Sequence, residues 1–301
     1  MGYLREGVWT DDEHWPTDDG GRFVRGASQF RRRPEAPFVP EPGRNHLYLA
    51  HACPWCHRTA IARELKGLQD KVTVSFVSPL MREGGWRFDG QDYVDPLFGS
   101  AFAHQIYTRA DPRYNGRVTV PILWDREADR LVCNESEDIV RMFDEAGPKS
   151  PALYPAHRRS EIDDTNAFVY DAVNNGVYKC GFARTQEAYE EAYRALFEAL
   201  DKLSARLAGH PFLVGDTLTE ADIRLYVTLV RFDVVYFGHF KCNRNRIEDD
   251  PVLQAYLERL YAMPAFGGTT RFDEIKRHYY GSHRNLNPSG IVPLGPRLHL
   301  D

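Results

Sequence analysis

The sequence predicts an α/β unit in its first half and an all-α unit in its second. Three observations carry this. The hydrophobic period changes from strand-like to helical after residue 146, and the intervening Gly147–Pro155 stretch, with three prolines, breaks both patterns. The string Cys53-Pro54-Trp55-Cys56-His57 stands where a short apolar run gives way to a helical pattern.

Taken in order, residues 1–44 are polar, rich in Gly, Pro and Arg, and lack a sustained period, so an ordered or semi-ordered arm is expected. The short Arg31-Arg32-Arg33 run within it reads as a solvated loop, with an anion-binding patch as the alternative. An α/β domain is expected over 45–146. It opens with a strand at His46–His51 and a helix through Arg58–Lys66, for which Gly67 fits the C-terminal cap. A second strand follows at Val72–Ser78. Residues 80–116, rich in Gly, Pro, Asp and aromatics, are too long for an ordinary connection and read as an insertion with functional potential. Val118–Trp124 and Arg130–Cys133 make a hairpin, and Glu135–Glu145 a helix with Ile139, Val140 and Phe143 on one face. Proline within Thr119-Val120-Pro121 argues for an edge, a bulge or a cis peptide.

A linker is expected at 147–157 and a helical domain at 158–280. There Tyr193, Leu196, Phe197, Leu200, Leu203 and Leu207 recur at helical spacing. Thr219-Glu-Ala-Asp222 opens a further helix as a capping box, with Asp in place of the usual Glu or Gln. Val252–Tyr261 is amphipathic and stops near Pro264, and residues 281–301 form an extended tail.

Net charge is −5, so no global basic field calls for nucleic acid or an anionic membrane. No apolar run approaches the roughly 18 residues of a membrane helix, and the N-terminus has no signal-peptide core. Five scattered cysteines do not make a disulfide framework. A reduced, cytoplasmic setting is the expectation.

A cysteine at the first turn of a helix that follows a strand faces unpaired backbone N–H groups and the positive end of the helix dipole, both of which favour a thiolate. Pro54 suits the first helical position, where its missing N–H has no intrahelical partner to lose. The arrangement is that of a thiol site on a thioredoxin-like unit. Zinc needs a second ligand pair, and Cys133, Cys180 and Cys242 are isolated in sequence. Covalent haem attachment through Cys-x-x-Cys-His goes with export. A structural cysteine pair and a reactive thiol remain, and the tuning physics favours the reactive thiol. Trp55 reads equally as a packing residue or a substrate contact. Val120-Pro121, if cis, exposes backbone groups to a bound peptide. Glu135-Ser136 offers a carboxylate, a hydroxyl and helix-start N–H donors, for ligand binding or for simple capping.

These residues resemble the cytosolic glutathione transferases, and more specifically the Xi class, the glutathionyl-hydroquinone reductases. The resemblance runs over nearly the whole chain through Gly26-Ala-Ser-Gln-Phe-Arg31, Tyr114-Asn-Gly-Arg-Val-Thr-Val-Pro121 and Asn174-Asn-Gly-Val-Tyr178. It continues in Leu229-Val-Arg-Phe-Asp233, Tyr236–Asn243, His278-Tyr-Tyr280 and Asn287–Pro293. It implies a thioredoxin-like domain followed by a helical domain, a homodimer, and a reductase of glutathionylated hydroquinones that uses glutathione, or another small thiol, as cosubstrate and no metal. Cys53 is the implied nucleophile. Trp86, Arg117, Val120, Glu135 and Ser136 are the implied thiol-cosubstrate residues. Tyr178 and Tyr279, or its neighbour Tyr280, line the implied aromatic pocket. The family usually has Ala or Ser where this chain has Cys56, which opens a glutaredoxin-like dithiol reaction as an alternative. A non-catalytic binder of flat aromatic ligands is the alternative from another class.

Overall fold

The computed structural model describes residues 2–11, 16–31 and 37–300, and the chain divides into two compact units. The first takes in Ala27–Pro148 and Asp273–Val292 with the N-terminal residues 2–11. The second takes in Lys149–Phe272 with residues 16–26 and 293–300. Arg32 and Arg33 of the basic run lie outside the described residues. Arg31 is ion-paired to Asp138 at 3.1 Å rather than simply solvated.

The N-terminal arm is more regular than its composition suggests. Strands β1 (Gly2–Arg5) and β2 (Val8–Asp11) form a hairpin in which Leu4 faces Trp9 and Arg5 faces Val8. Its two-residue turn, Glu6-Gly7, has φ of 45° and 76°, the left-handed pair that matches strand twist. A Glu at the first of those positions hides the turn from a composition-based reading.

The main sheet of the first unit comprises β3 (Asn45–Leu49), β4 (Val72–Phe76), and then β6 (Ile122–Asp125) and β7 (Arg130–Cys133), in the order β4-β3-β6-β7. β3 pairs parallel with β4 and antiparallel with β6, and all five of its residues are buried, as a central strand requires. The intervening β5 (Gly116–Arg117) pairs with β1 instead. The expected strand at Val118–Trp124 therefore starts later, at Ile122, just after a proline with no N–H to give a ladder. Helix α1 (Pro54–Leu65) connects β3 to β4 and packs beside α3 (Ser136–Ala146). At the end of α1, fully buried Lys66 reaches Asp144 (3.0 Å) and the Pro148 carbonyl, and Gly67 takes the left-handed conformation at φ +59°.

The 80–116 insertion is anchored rather than loose. Asp95 accepts hydrogen bonds from the Tyr48 hydroxyl (2.8 Å) and the Leu97 and Ser100 amides (3.0 Å each). The insertion also contains helix α2 (Ala103–Ala110), whose Tyr107 donates to the Thr119 carbonyl at 2.8 Å. His46, on β3, lies between the Thr73 and Ser75 hydroxyls (2.7 and 2.8 Å).

The second unit is helical: α4 (Arg159–Phe168), a π-helical segment Val169–Asn174, α5 (Gly176–Phe182), α6 (Gln186–Leu207) and α7 (Glu220–Arg231). α8 (Phe237–His239), α9 (Pro251–Tyr261) and α10 (Pro264–Gly267) follow, while α11 (Phe272–Ser282) runs almost wholly within the first unit. Every residue of α7 is buried, so its end needs internal partners. Asp222 supplies them, accepting from the Thr219 amide (2.9 Å) in the capping box read from the sequence, and from the Leu213 amide (2.8 Å) and Tyr256 hydroxyl (2.9 Å).

Asp222→Ala leaves those three buried donors unsatisfied, so a loss of at least about 3 kcal/mol is expected in urea unfolding; a loss under about 1 kcal/mol contradicts the role. Burial pushes His46 down to about 4, from an ordinary value of 6.5. Within that window the unfolded chain binds a proton there that the folded chain refuses. Stability from this site is therefore present above the window and lost as pH falls, by up to about 3 kcal/mol. His46→Gln flattens that part of the stability–pH profile; an unchanged slope contradicts it.

Candidate active site

Within the first unit, Cys53 is the N-cap residue of α1, with extended backbone (φ −76°, ψ 122°). Its side chain makes no capping hydrogen bond. The turn that delivers it is closed by the Cys53 amide to the Ala50 carbonyl at 3.1 Å, and its own carbonyl accepts the His57 amide at 3.0 Å. Pro54 occupies the first helical position as the sequence suggests. Sγ of Cys53 is 3.7 Å from the Val120 carbonyl, and the Val120–Pro121 peptide is cis. Two residues expected to act together, the thiol and Val120, are thus in contact.

Cys56 is one turn further along α1, 1% exposed against 8% for Cys53. Its sulfur accepts the Ala50 amide at 3.3 Å. Trp55 carries the Arg58 guanidinium on its ring face at 4.3 Å, a cation–π contact. Burial pushes the Cys133 thiol up to about 12 and raises that of Cys242 as well.

Glu135 is the N-cap of α3 and accepts the Glu137 amide at 3.3 Å, so it does cap the helix. Its carboxylate also receives the Ser28 hydroxyl at 2.9 Å and the Ser136 hydroxyl at 3.4 Å. Ser28, in the arm, was not legible as a partner, although it lies within the Gly26–Arg31 string. Trp86, in the insertion, is buried and stacks on His278 of α11 (centroids 4.9 Å apart, 17° between planes). His278 is fixed in turn by its Nδ1 against the Pro79 carbonyl at 2.7 Å. Arg117 is half-buried on β5, where its carbonyl accepts the Tyr114 hydroxyl at 3.2 Å. Tyr279 is 1% exposed and meets His283 edge-on at 5.4 Å, whereas Tyr280 is half-buried, so Tyr280 is the more accessible of the pair.

Tyr178 belongs to the second unit, on α5. It is buried among Phe182, Tyr236 and Phe240, with Arg25 over its ring at 4.8 Å. Arg25 Nε donates to Asn175 Oδ1 at 2.7 Å. Among the described residues no group of three or more His, Cys, Asp or Glu side chains is placed to hold a metal, and no helix is long and apolar enough to cross a membrane.

A thioredoxin-like sheet with a thiol at the start of its first helix, followed in the same chain by an all-helical unit, is the architecture of the glutathione transferases. The comparisons agree. Residues 52–146 match the glutathione S-transferase N-terminal domain and residues 186–259 the C-terminal domain. The glutathionyl-hydroquinone reductase PcpF of Sphingobium chlorophenolicum is 52% identical, over 100% of this chain and 98% of its own length. The glutathione transferase Xi of Phanerochaete chrysosporium superposes with TM-score 0.89 at 48% identity, over 93% of this chain and 95% of that one. The glutathione-bound structure of YqjG from Escherichia coli K-12 gives the same TM-score at 47% identity, over 100% and 97%. The chain belongs to the glutathione transferase family, in the Xi class with the glutathionyl-hydroquinone reductases.

Limited alkylation at neutral pH is expected to label Cys53 ahead of Cys133, Cys180 and Cys242, read by peptide mapping. Equal labelling of Cys133 contradicts the assignment of Cys53 as the reactive thiol.

Proposed function

We propose that this protein is a glutathione-dependent reductase that cleaves S-glutathionyl-hydroquinones to hydroquinone and glutathione disulfide. The observation that carries the reading is the Cys53 sulfur at the start of α1, 3.7 Å from the Val120 carbonyl and not engaged in capping. A transferase that conjugates glutathione needs a hydroxyl there, to stabilise the cosubstrate's own thiolate. A cysteine instead forms its own bond to sulfur. PcpF, a reductase by name, and the glutathione-bound YqjG support the substrate and the cosubstrate.

The Cys53 thiolate attacks the sulfur of the glutathionyl thioether. The sulfur–ring bond breaks and its electron pair passes to the ring, which leaves most readily when a ring hydroxyl has become a carbonyl and the ring carbon accepts a proton. We assign that proton to a phenol, Tyr178, over whose ring Arg25 lies. Cys53 is left as a mixed disulfide with glutathione. A second glutathione attacks it, releasing glutathione disulfide and the free thiolate.

For the cosubstrate, the Val120 backbone pairs with the peptide, while Glu135 and Ser136 take the charged γ-glutamyl end. Glu135 suits the ammonium and the helix start suits the carboxylate. Arg117 supplies a fixed positive charge and Trp86 an apolar wall. Tyr279 or Tyr280 contributes to the aromatic lining. A cytoplasmic homodimer completes the proposal, in line with the glutathione chemistry and the family.

The test is turnover of a glutathionyl-hydroquinone with products identified by mass. Cys53→Ser is expected to lower kcat/KM by about a thousandfold or more, while Cys56→Ser stays within about threefold at saturating glutathione. Equal loss from both substitutions points instead to an obligatory dithiol reaction, and ligand binding without thiol consumption to a binding protein.

A further inference from the structure

The α1 turn holds two thiols with unlike surroundings. Cys53 sits at the N-cap and Cys56 three residues on. Cys-x-x-Cys at a helix start is a spacing at which two thiols exchange with each other and one of them is held as a thiolate. Cys56, 1% exposed, is screened from external disulfides, and the sulfur it can reach is the one carried by its neighbour. The Ala50 amide points at its sulfur from 3.3 Å, a donor that favours the thiolate at the moment of attack. This donor belongs to the same turn that positions Cys53, whose amide bonds the Ala50 carbonyl.

We propose that Cys56 is a resolving thiol that captures the glutathionylated Cys53 when free glutathione is scarce. The inference rests on the reductase reading for the origin of the mixed disulfide. The Cys56 thiolate attacks Sγ of Cys53 and a Cys53–Cys56 disulfide forms. The bond from Cys53 to the glutathionyl sulfur breaks, and glutathione leaves as its thiolate, taking up the proton that Cys56 gave to solvent. No outside oxidant enters, because the oxidising equivalent is already in the mixed disulfide. Glutathione reverses the step by attacking the more exposed sulfur, Cys53, with Cys56 as leaving group. A second glutathione then completes the cycle. Capture is intramolecular and independent of glutathione concentration, whereas release requires glutathione. The enzyme therefore rests in a closed disulfide when the cosubstrate runs out and reopens when it returns. At saturating glutathione the mixed disulfide is resolved directly, so steady turnover does not need Cys56.

The experiment treats the reduced full-length protein with one equivalent of glutathione disulfide, which loads Cys53 without any hydroquinone. The protein is then read by intact mass and the glutathione released is counted. The wild-type chain is expected to lose two hydrogens and free both glutathiones. Cys56→Ala, and Cys56→Ser as a check on packing, are expected to keep one glutathionyl group on Cys53 and free only one. A wild-type chain that keeps its glutathionyl group, or takes none up, overturns the inference. The hydroquinone-release assay stands apart from this one, so a failed reductase reading and a failed resolving thiol are told apart.

Discussion

The first unit depends on the junction between β3 and α1. A fully buried central strand must end where the helix begins, and the Ala50–Cys53 turn makes that change of direction with one backbone hydrogen bond. The same turn spends the Ala50 carbonyl on the Cys53 amide and the Ala50 amide on the Cys56 sulfur. The antiparallel register of β3 with β6, in which Tyr48 faces Ile122, then brings Val120 to the thiol, two residues before that strand begins. Sheet register and helix start together set the place of the Cys53 sulfur. Neither a local motif nor the sheet alone does so.

Around this junction the remaining parts of the first unit act as supports. Asp95 ties the insertion to Tyr48 on β3, and α11 presents His278 to the face of Trp86. The arm reaches in through Ser28 to the Glu135 carboxylate and through Arg31 to Asp138. The hydrogen bonds among these contacts each have at least one partly or wholly buried partner, for which an unmade bond costs more than a made one gains. In the second unit Asp222 has the comparable place, gathering two amides and two hydroxyls at the start of a helix with no solvent on any side.

Local chemistry was legible in the sequence, and distant chemistry was not. Cys53-Pro54 marks a helix start by itself, Thr219–Asp222 announces its own cap, and the alternation around Asp125–Asp129 gives the β6–β7 hairpin. The β1–β2 hairpin was missed because Glu6 holds a left-handed position usually given to Asn, Asp or Gly. Helix α2 was hidden by the Gly- and Pro-rich segments before it. Ser28 and Glu135 are 107 residues apart, Arg25 and Asn175 150, and Pro79 and His278 199. Such pairings leave no periodic trace. The family resemblance nonetheless singled out Trp86 and Glu135, though not the residues that fix them.

The most direct test of the central claim follows the sulfur. A glutathionyl-hydroquinone carrying an isotopically heavy glutathionyl group is reacted for a single turnover with the Cys56→Ala chain, without added glutathione, and the protein is digested and mapped by mass. The account predicts heavy glutathione on the Cys53 peptide in an amount equal to the hydroquinone released. Hydroquinone released with no label on Cys53, or label on another cysteine, contradicts it.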